Sequence, residues 1–362
     1  MTHPTLLLNP GPVTLTTRVR SALAREDQCH REPEFANLIL DIKKRLTEIY
    51  PEAINSYDAV LVNGSGTCAV EAMLATLLPA KSTTLVITNG VYGERMTRMI
   101  QLHDKPMRRL QFGWSDPIDL VRVEEELTGE EKITHMVAVH NETTTGRLND
   151  IDKLAALGQK YNIPLLLDAV SSFGGEALDF SAQSLLAVAA TANKCLHGVP
   201  GISFVMVQKS AFATAESHAR SLYLDLLGYY KEQQQGYSPF TSPVHACFAL
   251  HEAILELEDG GGWQKRHAHY SRLSSWLRRE LSQLGIKTWL KEDEYSSMIS
   301  SFCIPDGITY KILHQACRQA GFVIYAGQGE LKKSIFRIAN MGNLRDEDMA
   351  RLITVFQKIL QP

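Results

Sequence analysis

Four times in the first half of this sequence, a short apolar run ends in small and polar residues and then gives way to a helical pattern. Asp58-Ala59-Val60-Leu61-Val62 leads into Asn63-Gly64-Ser65-Gly66-Thr67, and Thr84 to Thr88 leads into Asn89-Gly90-Val91-Tyr92-Gly93. Ile133 to Val139 leads into His140-Asn141-Glu142-Thr143-Thr144-Thr145-Gly146. Pro164 to Leu167 leads into Asp168-Ala169-Val170-Ser171-Ser172. Strands that alternate with helices predict βαβ units and a largely parallel sheet, with ligands held at the carboxyl ends of its strands. The polar clusters all stand at that end, so the chain predicts an α/β fold with one crevice lined by all four.

Strand, glycine turn and helix start at 58–78 make an anion cradle. Glycines let the backbone come close, and the free N–H groups of a helix start favour a phosphate. The turn is not a dinucleotide fingerprint, because no third glycine follows, and no Gly-Lys-Ser/Thr is present. Asp168 closes a run of three leucines, which predicts burial, and a buried carboxylate needs a cation or several donors. Capping of the next helix is the competing explanation for it.

Lys194 lies between the apolar run Leu185 to Ala190 and the turn Gly198-Val199-Pro200-Gly201, with a second apolar run, Ile202 to Val207, straight after. Near a buried strand edge, desolvation lowers the pKa of an amine and prepares it to attack an aldehyde. Most lysines in loops are merely solvated; the polar strand ends around this one argue otherwise. Two other stretches are open to two explanations. Asn9-Pro10-Gly11-Pro12 is rigid and extended, and crossing a surface is the simpler expectation for it than covering a site. His30 and Arg31, at a break between helical patterns, suit an anion site or a solvated loop equally.

After Val207 the pattern changes. An aromatic stretch with Tyr223, Tyr229 and Tyr230 leads to a loop in which Thr241 stands between Pro239 and Pro243. A helix from His245 to Glu258 then ends at Gly260-Gly261-Gly262. That glycine run predicts a hinge, with a large domain over residues 1–259 and a small α+β domain over 260–362. The latter is expected to hold helices at 263–284, 308–320 and 346–360 and strands at 298–304, 322–325 and 335–339. A net charge of −3 argues against nucleic acid or a membrane surface as partner. Six scattered cysteines without a C-x-x-C pair fit a reducing cytoplasm, and no apolar run is long enough to span a bilayer.

Three stretches make these residues resemble a known family. They are Asp168-Ala169-Val170-Ser171-Ser172-Phe173-Gly174-Gly175, Ala192-Asn193-Lys194-Cys195 with Gly198-Val199-Pro200-Gly201, and Arg220-Ser221-Leu222 with Leu224-Asp225-Leu226. Along nearly its whole length the sequence resembles the class V, fold-type I pyridoxal-phosphate aminotransferases, and within them the 2-aminoethylphosphonate–pyruvate transaminases. The glycine turn and Asn9-Pro10-Gly11-Pro12 are shared with the wider class. Two departures, at Cys29 to Phe35 and at Thr67-Cys68, lie where substrate or cofactor is expected. The resemblance implies a mostly parallel seven-stranded sheet flanked by helices, and pyridoxal 5'-phosphate as cofactor.

It also implies roles. Lys194 would be the Schiff-base lysine and proton carrier, and Asp168 the partner of the pyridine nitrogen. Tyr92 would stack on the ring, and Thr144 would lie near its phenolic oxygen. Ser65, Gly66, Thr67 and Asn193 would hold the phosphate, joined by Thr241 from the neighbouring subunit of a homodimer. Arg337 would bind the carboxylate of the amino or keto acid, and His30 and Arg31 are candidates for the phosphonate. The reaction implied moves the amino group of 2-aminoethylphosphonate to pyruvate, or runs in reverse. An alanine- or serine–glyoxylate transaminase, and a lyase such as a desulfurase, are the alternatives on the same fold. The cysteines Cys303 and Cys317 fall in core-like patterns, against a desulfurase. A dehydrogenase is disfavoured by the incomplete glycine fingerprint.

Overall fold

The computed structural model describes residues 4–213 and 216–360. Seven strands form the central sheet: β1 (Tyr57–Gly64), β2 (Thr83–Thr88), β3 (Met107–Gln111), β4 (Ile133–Val139), β5 (Leu165–Asp168), β6 (Leu185–Thr191) and β7 (Gly201–Gln208). Their spatial order is β1-β7-β6-β5-β4-β2-β3. Every neighbouring pair is parallel except the two made by β7. Because β7 runs backwards, its first residue, Gly201, pairs with the last of β1, Gly64. The loop after Lys194 therefore returns to the edge where the parallel strands end.

Strands buried on both faces read as unbroken apolar runs, and the two cores show why. Leu165 and Leu167 point into one, with Phe35, Ile42 and Leu154; Leu166 points into the other, with Met73 and Ile100. The helix Gly66–Leu77 packs on that second face, directly after the glycine turn. Edge strand β3 escapes a reading by hydrophobicity: in Met107–Gln111 only Leu110 is buried.

The glycine run separates helix Val244–Asp259 from helix Gly262–Gln283, with Gly261 at φ 89°. Beyond it lie strands β8 (Ile299–Cys303), β9 (Tyr325–Ala326) and β10 (Ile335–Ala339), in the antiparallel order β8-β10-β9, and helices Tyr310–Gln319 and Asp346–Leu360. The single strand expected at 322–325 is in fact two short pieces in different sheets. Phe322–Val323 pairs in parallel with Leu6–Leu7, while Tyr325–Ala326 joins β10. Leu6 and Leu8 are buried in the core of this C-terminal part, with Phe302 and Phe336. No helix among the described residues is long and apolar enough to cross a membrane.

Candidate active site

The carboxyl ends of β1, β2, β4, β5 and β6 form one rim. At β1 the chain turns through Gly64 and Ser65 into helix Gly66–Leu77, whose N-cap, Ser65, makes no side-chain cap bond. The N–H groups of Cys68 and Ala69 bond back to the Ser65 carbonyl. Those of Gly66 and Thr67 have no protein acceptor among the described residues, so the helix start keeps donors for an anion. Residue 66 must be glycine for room: a Cβ there would sit 2.5 Å from Val170 Cγ1. The cradle thus lies against the loop that follows β5.

Asp168 ends β5, buried, and one of its oxygens accepts from Val170 N at 2.9 Å. The residues after β5 form turns and not a helix, so the capping explanation considered above falls away; this bond is a local turn contact, and the second oxygen has no donor among the described residues. Burial pushes the carboxyl up to about 6, against the pull of the Val170 N–H and the charges of Lys194 and Arg95. A carboxylate so placed suits a cationic ring nitrogen.

Lys194 follows β6. Burial lowers its amine to about 8, with Arg337 and Arg95 adding repulsion and Asp168 opposing it. The amine donates to the carbonyl of Pro10. A Cβ on Gly11, at φ 113°, would lie 2.6 Å from Lys194 Cδ. The Asn9–Pro12 segment therefore covers the lysine, and the expectation that it merely crosses a surface is overturned. Its course is set by Leu6–Leu7 and Leu8, anchored in the C-terminal core, which the local sequence does not announce. Beside the lysine, Asn193 Oδ1 accepts from the Thr191 hydroxyl at 2.8 Å.

Tyr92 stands in the first turn of helix Val91–Leu102 and is mostly buried, which raises its pKa. One turn on, the guanidinium of Arg95 lies 4.7 Å from its ring centroid and reaches the Thr67 hydroxyl at 3.3 Å. A cavity of about 20 Å³ lined by Thr67, Tyr92, Arg95 and Asp168 ties the β1, β2 and β5 ends together. A shallower cavity of about 680 Å³, lined by Tyr57, Phe180 and Gln208, lies at the opposite edge of the sheet, away from these groups.

Arg337, on β10, reaches the same rim from the C-terminal part and is 2% exposed. Its Nε and Nη2 donate to the Ala326 carbonyl at 3.1 and 2.9 Å, and Nη1 to the Thr143 carbonyl at 2.7 Å. Gln328 Oε1 is 3.5 Å from Nη1. No carboxylate pairs with it among the described residues. A buried guanidinium held only by neutral acceptors retains charge for an anion.

Other expected residues lie apart. Thr241 is exposed, and its carbonyl accepts from Asn63 Nδ2 at 3.0 Å, near the end of β1. Arg31 is exposed and donates to the Ser238 carbonyl at 3.0 Å, in the loop that carries Thr241. No hydrogen bond or ion pair among the described residues joins His30 or Arg31 to Lys194, Asp168 or Arg337. Sequence reasoning missed three participants: Arg95, Glu142 and Gln328. Arg95 had a signal, since it stands at i+3 from Tyr92 on one helix face. Gln328 had none, and Glu142 is taken up below.

The pattern that defines the family "Aminotransferase class-V" matches residues 18–345. The chain belongs to the class V aminotransferases. This aminotransferase is 37% identical over 357 residues to a 2-aminoethylphosphonate–pyruvate transaminase of Bacillus mycoides, covering 98% of this chain and 97% of that one. Its counterpart in Bacillus cytotoxicus is 36% identical, with 97% and 96% covered. Among solved structures, an aspartate aminotransferase of Thermus thermophilus superposes with a TM-score of 0.88 at 27% identity, covering 98% of this chain and 99% of that one. An alanine–glyoxylate aminotransferase of Nostoc reaches 0.91 at 24% identity, covering 100% and 96%, and shows the shared fold. The fold is therefore the pyridoxal-phosphate fold type I that the resemblance implied, and the family is one that works with that cofactor.

Proposed function

We propose that this class V aminotransferase binds pyridoxal 5'-phosphate at the rim described and moves the amino group of 2-aminoethylphosphonate to pyruvate, giving phosphonoacetaldehyde and alanine, or the reverse. The residues fit the cofactor: a buried amine of lowered pKa and, among the described residues, a buried carboxylate with one oxygen unpaired and a helix start with free N–H groups. When bound, the cofactor supplies an aldehyde and an electron-withdrawing ring. Gly66 and Thr67 would hold its phosphate with backbone N–H groups, helped by the hydroxyls of Ser65 and Thr67 and by Asn193. Asp168 would keep the pyridine nitrogen protonated, Tyr92 would cover one face of the ring, and Thr144 would face its phenolic oxygen. Lys194 Nζ would take a proton from the substrate's α-carbon and return it elsewhere, which a pKa near neutrality favours.

The single observation that carries the substrate reading is Arg337, a buried guanidinium without an acid partner among the described residues, in a chain that matches the phosphonate transaminases along nearly its full length. Its planar fork suits the carboxylate of pyruvate and can also span two phosphonate oxygens. We assign His30 and Arg31 to the phosphonate, and Thr241 to the cofactor phosphate from across a homodimer interface. Leu222, 83% exposed, and the exposed Tyr223, whose hydroxyl donates to the Asn63 carbonyl, support such an interface beside the glycine turn. The large domain spans 1–259 and the small one 260–362, and six unpaired cysteines support a cytoplasmic setting.

Single-turnover conversion of the bound cofactor with each amino donor tests this. 2-Aminoethylphosphonate should react fastest, and pyruvate should reverse the change. Should alanine or serine with glyoxylate outrun it by a wide margin, the alanine–glyoxylate activity takes its place. A fully active monomer sinks the shared site.

A further inference from the structure

Glu142 has no solvent exposure and no lysine, arginine or histidine within ion-pair distance among the described residues. Its place is set by a two-residue hairpin ladder, Asn141–Glu142 against Arg147–Leu148, closed by Gly146 N donating to its carbonyl at 2.9 Å. Donors compensate the carboxylate only in part, since burial still pushes it up to about 7. Thr144 gives its hydroxyl at 2.6 Å and its N–H at 3.1 Å, and Gly93 gives its N–H at 3.4 Å. The N–H of Tyr92 also faces it. The Thr144 hydroxyl in turn accepts from Val91 N at 3.0 Å. Glu142 therefore binds the first turn of the helix that carries Tyr92 and Arg95, where the helix dipole favours a negative charge.

The same carboxylate reaches Arg337 through one peptide group. The carbonyl of the Thr143–Thr144 peptide accepts from Arg337 Nη1, and its N–H donates to Glu142 Oε1. Guanidinium and carboxylate thus hold opposite ends of a single amide dipole, an arrangement that strengthens both bonds in a low-dielectric interior. Turning that peptide would release Arg337, Thr144 and the Tyr92 helix together.

We propose that Glu142 is a positioning residue that fixes the substrate-anion arginine and the cofactor-facing Tyr92 and Thr144 as one unit. It touches neither reacting group itself. The proposal rests on Arg337 as the anion site but not on which amino donor is used, so the test runs with whichever keto acid accepts the amino group.

The experiment is a double-mutant cycle with Glu142→Gln and Arg337→Lys, read as KM for pyruvate and kcat. Beside it, the cofactor affinity of the apoprotein is measured by fluorescence quenching, which needs no substrate. Glu142→Gln places an amide donor among the donors. It should raise the pyruvate KM by about 10-fold, the scale of one charge-assisted hydrogen bond, with a smaller fall in kcat, and weaken cofactor binding. The double variant should lose less than the product of the two single losses. Thr144→Val, which removes the hydroxyl but keeps the peptide N–H on Glu142, should weaken cofactor binding and couple to Arg337→Lys less than Glu142→Gln does. If Glu142→Gln does not fold, Glu142→Asp, which keeps the charge and shortens the reach, takes its place in the cycle with the same expectation. KM effects that multiply within about two-fold, the scatter of independent sites, overturn the proposal. So does a fall in melting temperature with KM and cofactor affinity unchanged.

Discussion

The amine of Lys194 donates to the carbonyl of Pro10, a residue 184 positions earlier in the chain. Two units meet there: the lysine belongs to the central sheet, and the segment over it hangs from the C-terminal core through Leu6 and Leu8. The nucleophile is thereby aimed and sheltered from water by backbone rather than by a side chain, which leaves the side chains of the rim free for ligands.

Gly11 tests that shelter. At φ 113° with Lys194 Cδ 2.6 Å from a built Cβ, alanine is strained twice over. Gly11→Ala should cost about 1–3 kcal/mol of stability and slow the uptake of cofactor by the apoprotein. Melting temperature and reconstitution rate check it; both unchanged would mean that the segment is a bystander.

The pKa of Lys194 makes a second prediction. The folded state holds it at about 8, below the ordinary 10.5. Below both values each state is protonated and the burial penalty is fully present. Between them the unfolded chain binds the extra proton, so stability from this site rises with pH. Apoprotein Lys194→Met should therefore be more stable than the wild type at pH 7, and that advantage should shrink by up to about 1.4 kcal/mol per pH unit between 8 and 10. Denaturant midpoints at three pH values are enough, and a constant gap would contradict the buried amine. Borohydride reduction of the loaded wild type should tag the peptide containing Lys194.

Asp168 carries the opposite sign. Its folded pKa is about 6, above the ordinary 3.8, so stability from this group falls as pH rises through that window and the penalty is complete at pH 7. Asp168→Asn should stabilise the apoprotein at pH 7 by on the order of 2–3 kcal/mol while weakening cofactor affinity. Thermal melts with and without cofactor separate the two effects. A variant that loses apoprotein stability at pH 7 would show that the carboxylate serves structure first.

Gly66→Ala presses a methyl group to 2.5 Å from Val170 Cγ1. Overpacking of this kind costs about 1–3 kcal/mol, and here it falls on the phosphate cradle, so cofactor affinity should drop with stability. Adding Val170→Ala should restore part of both. If the second change makes matters worse, the close approach is not what requires a glycine.

The strands that carry the site were legible because burial on both faces writes them as apolar runs: Leu165, Leu166 and Leu167 serve both cores. β3 was not, since an edge strand such as Met107–Gln111 buries one side chain and reads as surface. Lys194 and Asp168 stood out because polar groups at the ends of apolar strands need a reason. Glu142 did not, because most of its donors are backbone N–H groups, of Thr144 beside it and of a helix some fifty residues earlier, and backbone donors leave no mark on side-chain identity. The course of Pro10 and Gly11 was misjudged for a related reason. What pulls them over the lysine is the pairing of Leu6–Leu7 with Phe322–Val323, and neither dipeptide announces the other.

That pairing bears on how the protein is made. On the ribosome, residues 6–14 emerge long before 321–342, yet Leu8 bonds to Val323 and Ala339, and Thr14 pairs with Gly342. The segment over the lysine amine cannot take its place until translation has passed the last of these partners. Contacts between such distant segments are slow to form, so capping of the amine is expected as a late step of maturation.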